Sequence, residues 1–318
     1  MKHWYASVNY GLEEIAGEII KSHGANKIRI FGGGLTFYYD EEIKLKCVNN
    51  LFLILSEFNS GIIKAAERIS AEHVNIPKIN AKTFRVLIMD SGKLISIPES
   101  LMSAIEKNIS RQAKITPRRA RPDAEIWLNR RNDGRVYFML RVNKHPSFDK
   151  TLKKGELRPD IVEIMIHEAN IKSGSAVCDL FGGWGSIAAA LAENGKRIKI
   201  FTGDINEECV KYQKNRLKDK KNCVVYKWDA MKTPLENESI DAIVTDPPWG
   251  EYENIAASFY DSFVNEARRV LKVEGRLVFL TSARDEAIRA LYDGFSHKKI
   301  SLKINGKEAH LFTAVKKP

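Results

Sequence analysis

Cysteine is scarce in this sequence, with four residues among 318, at positions 47, 178, 209 and 223. No two of them have the C-x-x-C spacing that is typical of a zinc knuckle or a redox dithiol. The seven histidines form no H-x-x-x-H or H-E-x-x-H pattern. We therefore expect free thiols in a reducing cytoplasm and no metal site.

Long hydrophobic runs are also absent. The longest aliphatic stretches, such as Leu51–Leu55, fall far short of the roughly 20 residues of a membrane-spanning helix. The opening residues Met1–Tyr5 lead into strand-like sequence without the apolar region of a signal peptide. The sequence therefore predicts a cytoplasmic protein with no membrane partner. It leaves the oligomeric state open, and a monomer is compatible with it.

The chain does carry an uneven positive charge. Its 51 Lys and Arg against 40 Asp and Glu give a net charge of +11. Residues 1–160 have 27 basic and 18 acidic side chains, a net of +9, whereas residues 161–318 have 24 and 22, a net of +2. Solvating lysines explain the net charge equally well, but the clustering favours a first half that binds nucleic acid and a second half that does chemistry.

The positive charge is densest between residues 107 and 158, with 15 basic against 5 acidic side chains. Pro117 and Pro122 interrupt this stretch, so we expect a loop there rather than one long helix. Its arginines fit contacts with phosphate groups, and a solvated loop is the alternative. The predicted RNA-binding residues are Arg111, Lys114, Arg118, Arg119, Arg121, Arg130 and Arg131.

Short strands and helices alternate over the first 145 residues. The pattern predicts the order strand, helix, strand, strand, helix, strand, with the second helix after Asp40, which is typical of a ferredoxin-like sandwich. A second α+β module follows, with a hairpin around Asn132-Asp133-Gly134. We therefore predict one domain over residues 1–70 and another over residues 71–145.

A linker over residues 146–158 is predicted to lead to a regular alternation of strands and helices from Pro159 onward. The first four strands are predicted at Ala176–Leu180, Ile198–Thr202, Cys223–Lys227 and Ile240–Val244. A long helix from about Ile255 to Leu271, a fifth strand and a hairpin around Asn305-Gly306 follow. This order predicts an α/β fold over residues 159–318, with a mostly parallel sheet that ends in an antiparallel hairpin.

A glycine-rich turn, Asp179-Leu180-Phe181-Gly182-Gly183-Trp184-Gly185, follows the first of these strands. Glycines let the backbone approach a nucleotide closely above the strand ends. The spacing is not G-x-G-x-x-G, so a tight strand-to-helix connection is the alternative. Asp204 before Ile205 and Asp229 before Ala230 end the next two strands, where carboxylates can accept hydrogen bonds from ribose and adenine.

The fourth strand leads into Asp246-Pro247-Pro248-Trp249. The two prolines stiffen the backbone and lack N–H donors, so that carbonyls face the site. Trp249 can stack on a planar base, while Asp246 and the Pro247 carbonyl can accept hydrogen bonds from its exocyclic amine. A rigid loop with a packed tryptophan is the alternative. Together with the glycine turn and the strand-end acids, the motif favours an enzyme that acts on such an amine.

The chain resembles the class I S-adenosylmethionine-dependent methyltransferases of exocyclic amines, which have Asn, Asp or Ser, then Pro-Pro and an aromatic residue, at this place. Its first half resembles the THUMP-containing RNA methyltransferases at Asn9–Ala16 and at Gly155–Pro159. The resemblance implies that residues 71–145 form an RNA-binding THUMP domain and that residues 159–318 form a Rossmann-like methyltransferase domain. It also implies S-adenosylmethionine as the cofactor and tRNA as the partner.

Carried over position by position, the resemblance implies contacts with the methionine end at Asp179, Gly182 and Gly185, with ribose at Asp204 and with adenine at Asp229. The complete cofactor-binding set is predicted to be Asp179, Phe181, Gly182, Gly183, Gly185, Asp204, Ile205, Asp229, Ala230 and Asp246. The predicted catalytic residues are Asp246, Pro247, Pro248 and Trp249.

Known members with this layout methylate N2 of guanosine in tRNA, in the acceptor stem or at its junction with the D arm, and this is the predicted reaction. Trp249 in place of Tyr or Phe also occurs in adenine-N6 methyltransferases, so methylation of adenine in RNA or DNA is an alternative. Trp184 is bulky for a cofactor turn, which leaves an inactive RNA-binding protein as another. A dehydrogenase would explain the glycine turn but not the Asp-Pro-Pro-Trp motif.

Overall fold

The computed structural model describes residues 1–40, 44–143, 152–249, 258–304 and 306–318. The chain forms two compact units. The N-terminal unit consists of Met1–Val8 and Gly17–His145, and the C-terminal unit consists of Asn9–Ala16 and Pro146–Pro318. Each unit is built on a sheet of its own.

The N-terminal sheet has nine strands in the order β2-β3-β1-β4-β9-β8-β5-β6, with β7 paired to β5. The elements up to β9 are β1 (Lys2–Ser7), α1 (Glu13–Ser22), β2 (Asn26–Phe31), β3 (Gly34–Tyr39), β4 (Asn50–Phe58), α2 (Ile62–Ala71), β5 (Thr83–Asp90), β6 (Lys93–Leu94), α3 (Glu99–Ala113), β7 (Thr116–Pro117), β8 (Ala124–Arg130) and β9 (Val136–Arg141).

The order of the first four strands, β2-β3-β1-β4, with antiparallel pairing throughout, fits a split β-α-β arrangement. The predicted helix before β4 is wrong over residues 44–49, which form no helix, and residues 41–43 lie outside the described part. Buried Leu45 and Cys47 alternate there with exposed lysines, which is the period of an extended chain. The second helix comes after β4 instead, as α2.

Helices α2 and α3 cover one face of this sheet. Their core includes Ile69 and Ile105 from the helices and Phe84 and Phe138 from the strands. The predicted boundary between residues 70 and 71 falls inside α2, and the strands on both sides of it join one sheet because β9 pairs with β4. The division into two domains there stays a prediction.

The C-terminal sheet has seven strands in the order β12-β11-β10-β13-β14-β16-β15. The elements of this part are α4 (Pro159–Glu168), β10 (Ala176–Asp179), α5 (Ser186–Glu193), β11 (Lys199–Asp204), α6 (Glu207–Arg216), β12 (Cys223–Lys227), β13 (Ile240–Thr245), α7 (Phe259–Val270), β14 (Leu271–Thr281), α8 (Arg284–Leu291), β15 (Phe295–Ile304) and β16 (Lys307–Lys316).

Strands β10 to β14 are parallel, and β16 pairs antiparallel with both β14 and β15. The predicted α/β fold with a parallel sheet and a final antiparallel hairpin is therefore confirmed. The long helix predicted from Ile255 begins at Phe259 among the described residues, and residues 250–257 lie outside them. Asn305 of the predicted hairpin turn also lies outside.

The sequence forms this sheet because its central strands are apolar on both faces. Successive residues point to opposite faces, and Val177 and Cys178 of β10, like Ile243 and Val244 of β13, are completely buried, as expected where helices cover a parallel sheet on both sides. Helix α7 buries Tyr260, Phe263 and Ala267, which recur at helical spacing. Among the described residues, no helix is long and apolar enough to cross a membrane.

Candidate active site

Four acidic residues meet at one edge of the C-terminal sheet. Strands β12, β11, β10 and β13 are parallel neighbours, so their carboxyl ends lie side by side. Asp204 ends β11 and Asp179 ends β10, while Asp229 and Asp246 lie just beyond β12 and β13. The order of the strands reverses between β10 and β13, and α/β sheets bind ligands in the crevice at such a point.

Asp179 is the most deeply buried of these acids, at 1% exposure. Its Oδ1 accepts a hydrogen bond from the Thr245 hydroxyl at 2.8 Å, and the Thr245 oxygen accepts one from the Phe181 amide at 3.0 Å. Asp179 Oδ2 has no hydrogen-bond partner within the described ranges. Burial, supported by the charges of Asp204 and Asp246, raises the pKa of Asp179 to about 8. Such an oxygen fits a ligand group that donates hydrogen bonds.

Gly182 in the glycine turn has no space for a side chain. A Cβ atom at Gly182 would lie 2.4 Å from Thr202 Oγ1. Gly183 and Gly185 have φ angles of +47° and +77°, which glycine adopts without strain. The Gly183 amide donates a hydrogen bond to Asp204 Oδ2 at 2.8 Å. The turn after β10 and the acid at the end of β11 therefore hold each other directly.

Gln213 of α6 supports the turn, and the sequence interpretation did not identify it. Its buried side chain donates a hydrogen bond to the Gly183 carbonyl at 3.0 Å and accepts one from the Thr202 hydroxyl at 2.9 Å. The available signal was its position, three and four residues after buried Val210 and Cys209, which places a polar side chain on the apolar face of the helix.

Other predicted cofactor residues lie at the exposed side of the edge. Ile205 has 69% of its surface exposed, which is unusual for isoleucine. Asp229 is also exposed, and its Oδ1 accepts a hydrogen bond from the Met231 amide at 2.9 Å. Both side chains are accessible to a ligand at this edge.

Two predicted cofactor residues point toward the core. Ala230 belongs to the hydrophobic core. The Phe181 ring packs against Phe259 and Phe263 of α7, with centroid distances of 5.8 and 5.3 Å. These two side chains therefore support the edge of the sheet by packing into the hydrophobic core.

The Asp246–Trp249 loop is held by its own side chains and by neighbouring elements. Trp249 Nε1 donates a hydrogen bond to Asp246 Oδ1 at 3.0 Å. The Pro248 carbonyl accepts one from the Tyr260 hydroxyl at 3.4 Å, and the Trp249 carbonyl accepts one from the Ser282 hydroxyl at 3.2 Å. Burial raises the pKa of Asp246 to about 7, although the bond from Trp249 opposes this rise. Pro247 is buried, and the role of its carbonyl stays a prediction.

Trp184 packs against α6 and the linker. Its ring stands edge-on to Tyr212 at a centroid distance of 5.4 Å, and its Nε1 donates a hydrogen bond to the Lys154 carbonyl at 3.0 Å. Lys153 Nζ lies 5.5 Å from the centroids of both rings. The bulky side chain in the glycine turn thus fixes linker residues next to that turn.

Arg216 joins the same linker residues to the turn through its guanidinium group. Its Nη1 donates to the Trp184 carbonyl at 2.9 Å and to Glu156 Oε1 at 2.5 Å. Glu156 Oε2 accepts from the Lys153 amide at 3.0 Å, and the Glu156 amide donates to the Lys153 carbonyl at 3.0 Å. Residues 153–156 therefore form a closed turn on the surface of the C-terminal unit.

The predicted RNA-binding residues fall into two groups in the N-terminal unit. Arg111, Lys114, Arg118, Arg119 and Arg121 lie between the end of α3 and the start of β8. Arg130 and Arg131 lie at the other end of β8, a seven-residue strand, and a strand of that length spans about 20 Å. Arg130 is paired with Asp90, with two N–O distances of 2.8 Å. The structure does not bring the whole set into one patch.

The thiols and carboxylates offer no further reactive group among the described residues. Cys178, Cys209 and Cys223 are free, and burial raises the pKa of each thiol, which disfavours the thiolate. No group of three or more His, Cys, Asp or Glu side chains in the described ranges is placed to hold a metal ion.

Known proteins resemble this chain in sequence and in fold. Residues 161–306 match the family described as "Methyltransferase small domain". Over 186 residues the chain is 30% identical to the ubiquinone/menaquinone biosynthesis C-methyltransferase UbiE of Methylococcus capsulatus, covering 52% of this chain and 73% of that protein. The chain belongs to the S-adenosylmethionine-dependent methyltransferases. S-adenosylmethionine is the cofactor of this methyltransferase.

Two other relatives are named for guanine-N2 methylation. The methyltransferase is 28% identical over 162 residues to human U6 snRNA (guanine-N(2))-methyltransferase THUMPD2, covering 50% of this chain and 31% of that protein. It is 28% identical over 150 residues to a probable tRNA (guanine(10)-N2)-dimethyltransferase of Methanothermococcus thermolithotrophicus, covering 43% of this chain and 90% of that protein.

Two solved structures match the methyltransferase along almost its whole length. TrmN from Thermus thermophilus has a TM-score of 0.83 at 20% identity, covering 99% of this chain and all of the other. SMU.472, a putative methyltransferase complexed with SAH, has a TM-score of 0.74 at 12% identity, covering 98% of this chain and 97% of the other. At these identities the likeness shows the fold.

The linker contact predicts an effect of Trp184→Ala on local exchange. Loss of the ring removes its contacts with Tyr212 and Lys153, so residues 153–156 should open more often. We expect the amides of Lys153 and Glu156 to exchange with deuterium at least about tenfold faster, since about 1.4 kcal/mol of opening free energy suffices for this. Tyr292→Ala, which removes an aromatic ring that is 74% exposed, is the control. Unchanged exchange in the Trp184 variant would contradict the role.

The raised pKa of Asp179 predicts that the ligand-free protein loses stability as pH rises. Between about pH 4 and 8 the folded state holds a proton that the unfolded state has released, so the free energy of unfolding falls with pH. One such group contributes a slope of at most about 1.4 kcal/mol per pH unit. Asp179→Asn should flatten the dependence in thermal unfolding measured from pH 5 to 8.

The control for this experiment is Asp219→Asn, which changes an exposed carboxyl of the same unit. It should leave the pH dependence as in the wild type. Equal slopes in the wild type and the Asp179 variant would show that Asp179 does not hold the proton.

Proposed function

We propose that this methyltransferase transfers a methyl group from S-adenosylmethionine to the exocyclic N2 amine of a guanosine in tRNA, in the acceptor stem or at the D-arm junction. The observation that supports this most is the Asp246–Trp249 loop, which hydrogen bonds hold in place where the strand order reverses between β10 and β13. A loop with this chemistry fits an amine-bearing base, and we expect the enzyme to act in the cytoplasm.

The glycine turn and three acids fit the cofactor. Asp179 Oδ2 lacks a donor in the described structure, and the amino group at the methionine end of S-adenosylmethionine would supply one. The tight turn at Gly182 would let backbone amides approach the cofactor closely, and Asp204, which accepts the Gly183 amide, would accept hydrogen bonds from the ribose hydroxyls. Asp229 would accept a hydrogen bond from the adenine amine, and exposed Ile205 would supply an apolar contact for the adenine. When bound, S-adenosylmethionine supplies an electrophilic methyl group on a positively charged sulfur.

Asp246 is proposed to orient the target amine and to take its proton. The amine lone pair is delocalised into the guanine ring, so it is a poor nucleophile until hydrogen bonds to acceptors hold it in position. Trp249 fixes Asp246 through Oδ1, which leaves Oδ2 for the amine, and the Pro247 carbonyl is the second acceptor. Because its pKa is raised to about 7, Asp246 can accept the proton near neutral pH as the methyl group is transferred.

The RNA substrate is supported by charge and by the relatives. The excess of positive charge lies in residues 1–160, as expected for binding to a phosphate backbone. THUMPD2 and the M. thermolithotrophicus protein are both named for guanine-N2 methylation of RNA. UbiE is named as a C-methyltransferase, so similarity of the catalytic part alone does not define the substrate.

Methylation of adenine N6 is the second candidate, because Trp249 follows the two prolines. The inactive RNA-binding alternative loses its basis, because the bulk of Trp184 is packed against Tyr212 and the linker.

Product analysis tests the proposed reaction. The enzyme is incubated with labelled S-adenosylmethionine and unmodified transcribed tRNA, and the digested nucleosides are identified by mass spectrometry. N2-methylguanosine or its dimethyl form is the expected product. N6-methyladenosine would replace the proposed base, and no transfer to tRNA by a protein that binds the cofactor would overturn the proposed substrate.

Substitutions at Asp246 test the catalytic assignment. We expect Asp246→Ala to lower the rate of transfer about 10² to 10⁴ fold, because the variant cannot accept the proton. Asp246→Asn keeps an acceptor for Trp249 but cannot take a proton, so it should also be slow, with tRNA affinity unchanged. Single-turnover rates measure this, and Asp285→Asn on exposed α8 is the control. A fast Asn variant would show that Asp246 does not accept the proton.

A further inference from the structure

One face of the N-terminal sheet combines aromatic rings with arginines, and we call it the arginine–aromatic face. Its apolar layer contains strand residues only, namely Tyr5, Phe31, Phe52, Ile54, Trp127, Tyr137 and Met139. Its arginines are Arg29, Arg85, Arg135 and Arg141 on the strands or at their ends and Arg131 beyond β8. Helices α2 and α3 pack on the opposite face of the sheet.

The pairing of the strands places these residues in one row. Across β2, β3, β1, β4 and β9, the directly paired residues are Arg29, Thr36, Tyr5, Phe52 and Arg141. Directly paired residues share a face of the sheet. The row continues through Glu125, which binds Arg141 at 2.6 Å and is paired with Arg85 of β5. It therefore crosses seven strands.

Arginines form the outer layer of this face. Tyr5 and Tyr137 are buried, at 1% and 0% exposure, whereas the side chains of Arg29, Arg85 and Arg135 are exposed by 36%, 37% and 38%. The Arg131 guanidinium lies 5.5 Å from the centroid of the Tyr5 ring. A ligand at this face would thus meet guanidinium groups, and the rings beneath would hold those groups in place.

Three acids orient four of the five arginines. Glu57 binds Arg29 at 3.3 Å and also binds Arg135. Glu125 binds Arg141 and Arg85. Asp133 lies 3.5 Å from Arg29. Five arginines against three carboxylates leave a net charge of +2 (5 − 3), so the face is preorganised and still cationic.

Unpartnered polar atoms are concentrated on this face. Of the eight buried side-chain polar atoms without a hydrogen-bond partner in the described ranges, six are Tyr5 Oη, Arg29 Nε, Arg85 Nε, Trp127 Nε1, Asn129 Oδ1 and Arg131 Nε. Five of these six atoms can donate a hydrogen bond. Native structures leave few such groups unsatisfied. These atoms are buried, so a phosphate would meet the exposed ends of Arg29 and Arg85 above them, whose guanidinium fork matches phosphate oxygens.

We propose that the arginine–aromatic face binds the phosphate backbone of the RNA substrate, as a surface separate from the loop at residues 111–121. This proposal rests on the proposed function, because it takes an RNA as the substrate. Contact through arginines above buried rings predicts binding that is sensitive to salt and insensitive to base sequence.

The double variant Arg29→Gln with Arg85→Gln tests the face and leaves each acid a partner. Glu57 keeps Arg135, Glu125 keeps Arg141, and Asp133, which loses Arg29, keeps the hydrogen bond from the Tyr137 hydroxyl at 2.6 Å. Binding of a fluorescent tRNA transcript is measured without S-adenosylmethionine at several salt concentrations. We expect about tenfold weaker binding at physiological salt and a salt slope lower by about two, one for each lost phosphate contact.

The matched control is Lys64→Gln with Arg68→Gln, which removes the same charge from α2 on the opposite face. It should bind tRNA as the wild type does. Unchanged S-adenosylmethionine affinity and an unchanged thermal unfolding temperature would show that both variants are folded. The charge-conserving variant Arg29→Lys with Arg85→Lys should recover most of the salt slope of tRNA binding.

If the double variant and the control both bind tRNA with the affinity and the salt slope of the wild type, the face assignment alone is overturned. A wild type that binds no tRNA would overturn the proposed substrate as well. If the double variant and the control both bind tRNA more weakly and to the same degree, the effect comes from net charge and the face assignment is overturned.

Discussion

The hydrogen bond from the Thr245 hydroxyl to Asp179 is the interaction on which the candidate site depends. It joins the ends of β10 and β13, the two strands between which the order of the sheet reverses. The Thr245 hydroxyl oxygen also accepts a hydrogen bond from the Phe181 amide and so fixes the start of the glycine turn. Because Thr245 directly precedes Asp246, the position of the cofactor turn and that of the Asp-Pro-Pro-Trp loop are set by one side chain.

This arrangement disfavours the ionised form of two acids. Burial raises the pKa of Asp179 to about 8 and that of Asp246 to about 7. Both groups are thus costly to ionise in the empty site and gain from a cationic ligand nearby. Such a site favours a positively charged cofactor over a neutral one. The positive charge stabilises the ionised forms of Asp179 and Asp246, which the protein alone disfavours.

Much of the site could be predicted from the sequence because it lies at the ends of buried strands. Asp204, Asp229 and Asp246 follow apolar runs that identify the strands, and parallel pairing brings those ends together. Gln213 and the contacts of Trp184 could not be predicted, because they depend on how α6 and residues 153–156 pack. The helix predicted after Asp40 was wrong over residues 44–49, because the burial that decides between helix and extended chain there comes from tertiary packing.

The uneven positive charge, +9 over residues 1–160 and +2 over residues 161–318, fits the different ligands proposed for the two parts. The acids at the edge of the C-terminal sheet attract a cationic cofactor and repel the phosphates of any polyanionic substrate. Affinity for such a substrate must then come from residues remote in sequence from the acids, and the surplus of arginine in residues 1–160 supplies the required charge. Placing arginines over buried aromatic rings, as around Tyr5 and Tyr137, limits their freedom, so less conformational entropy is lost when a phosphate binds.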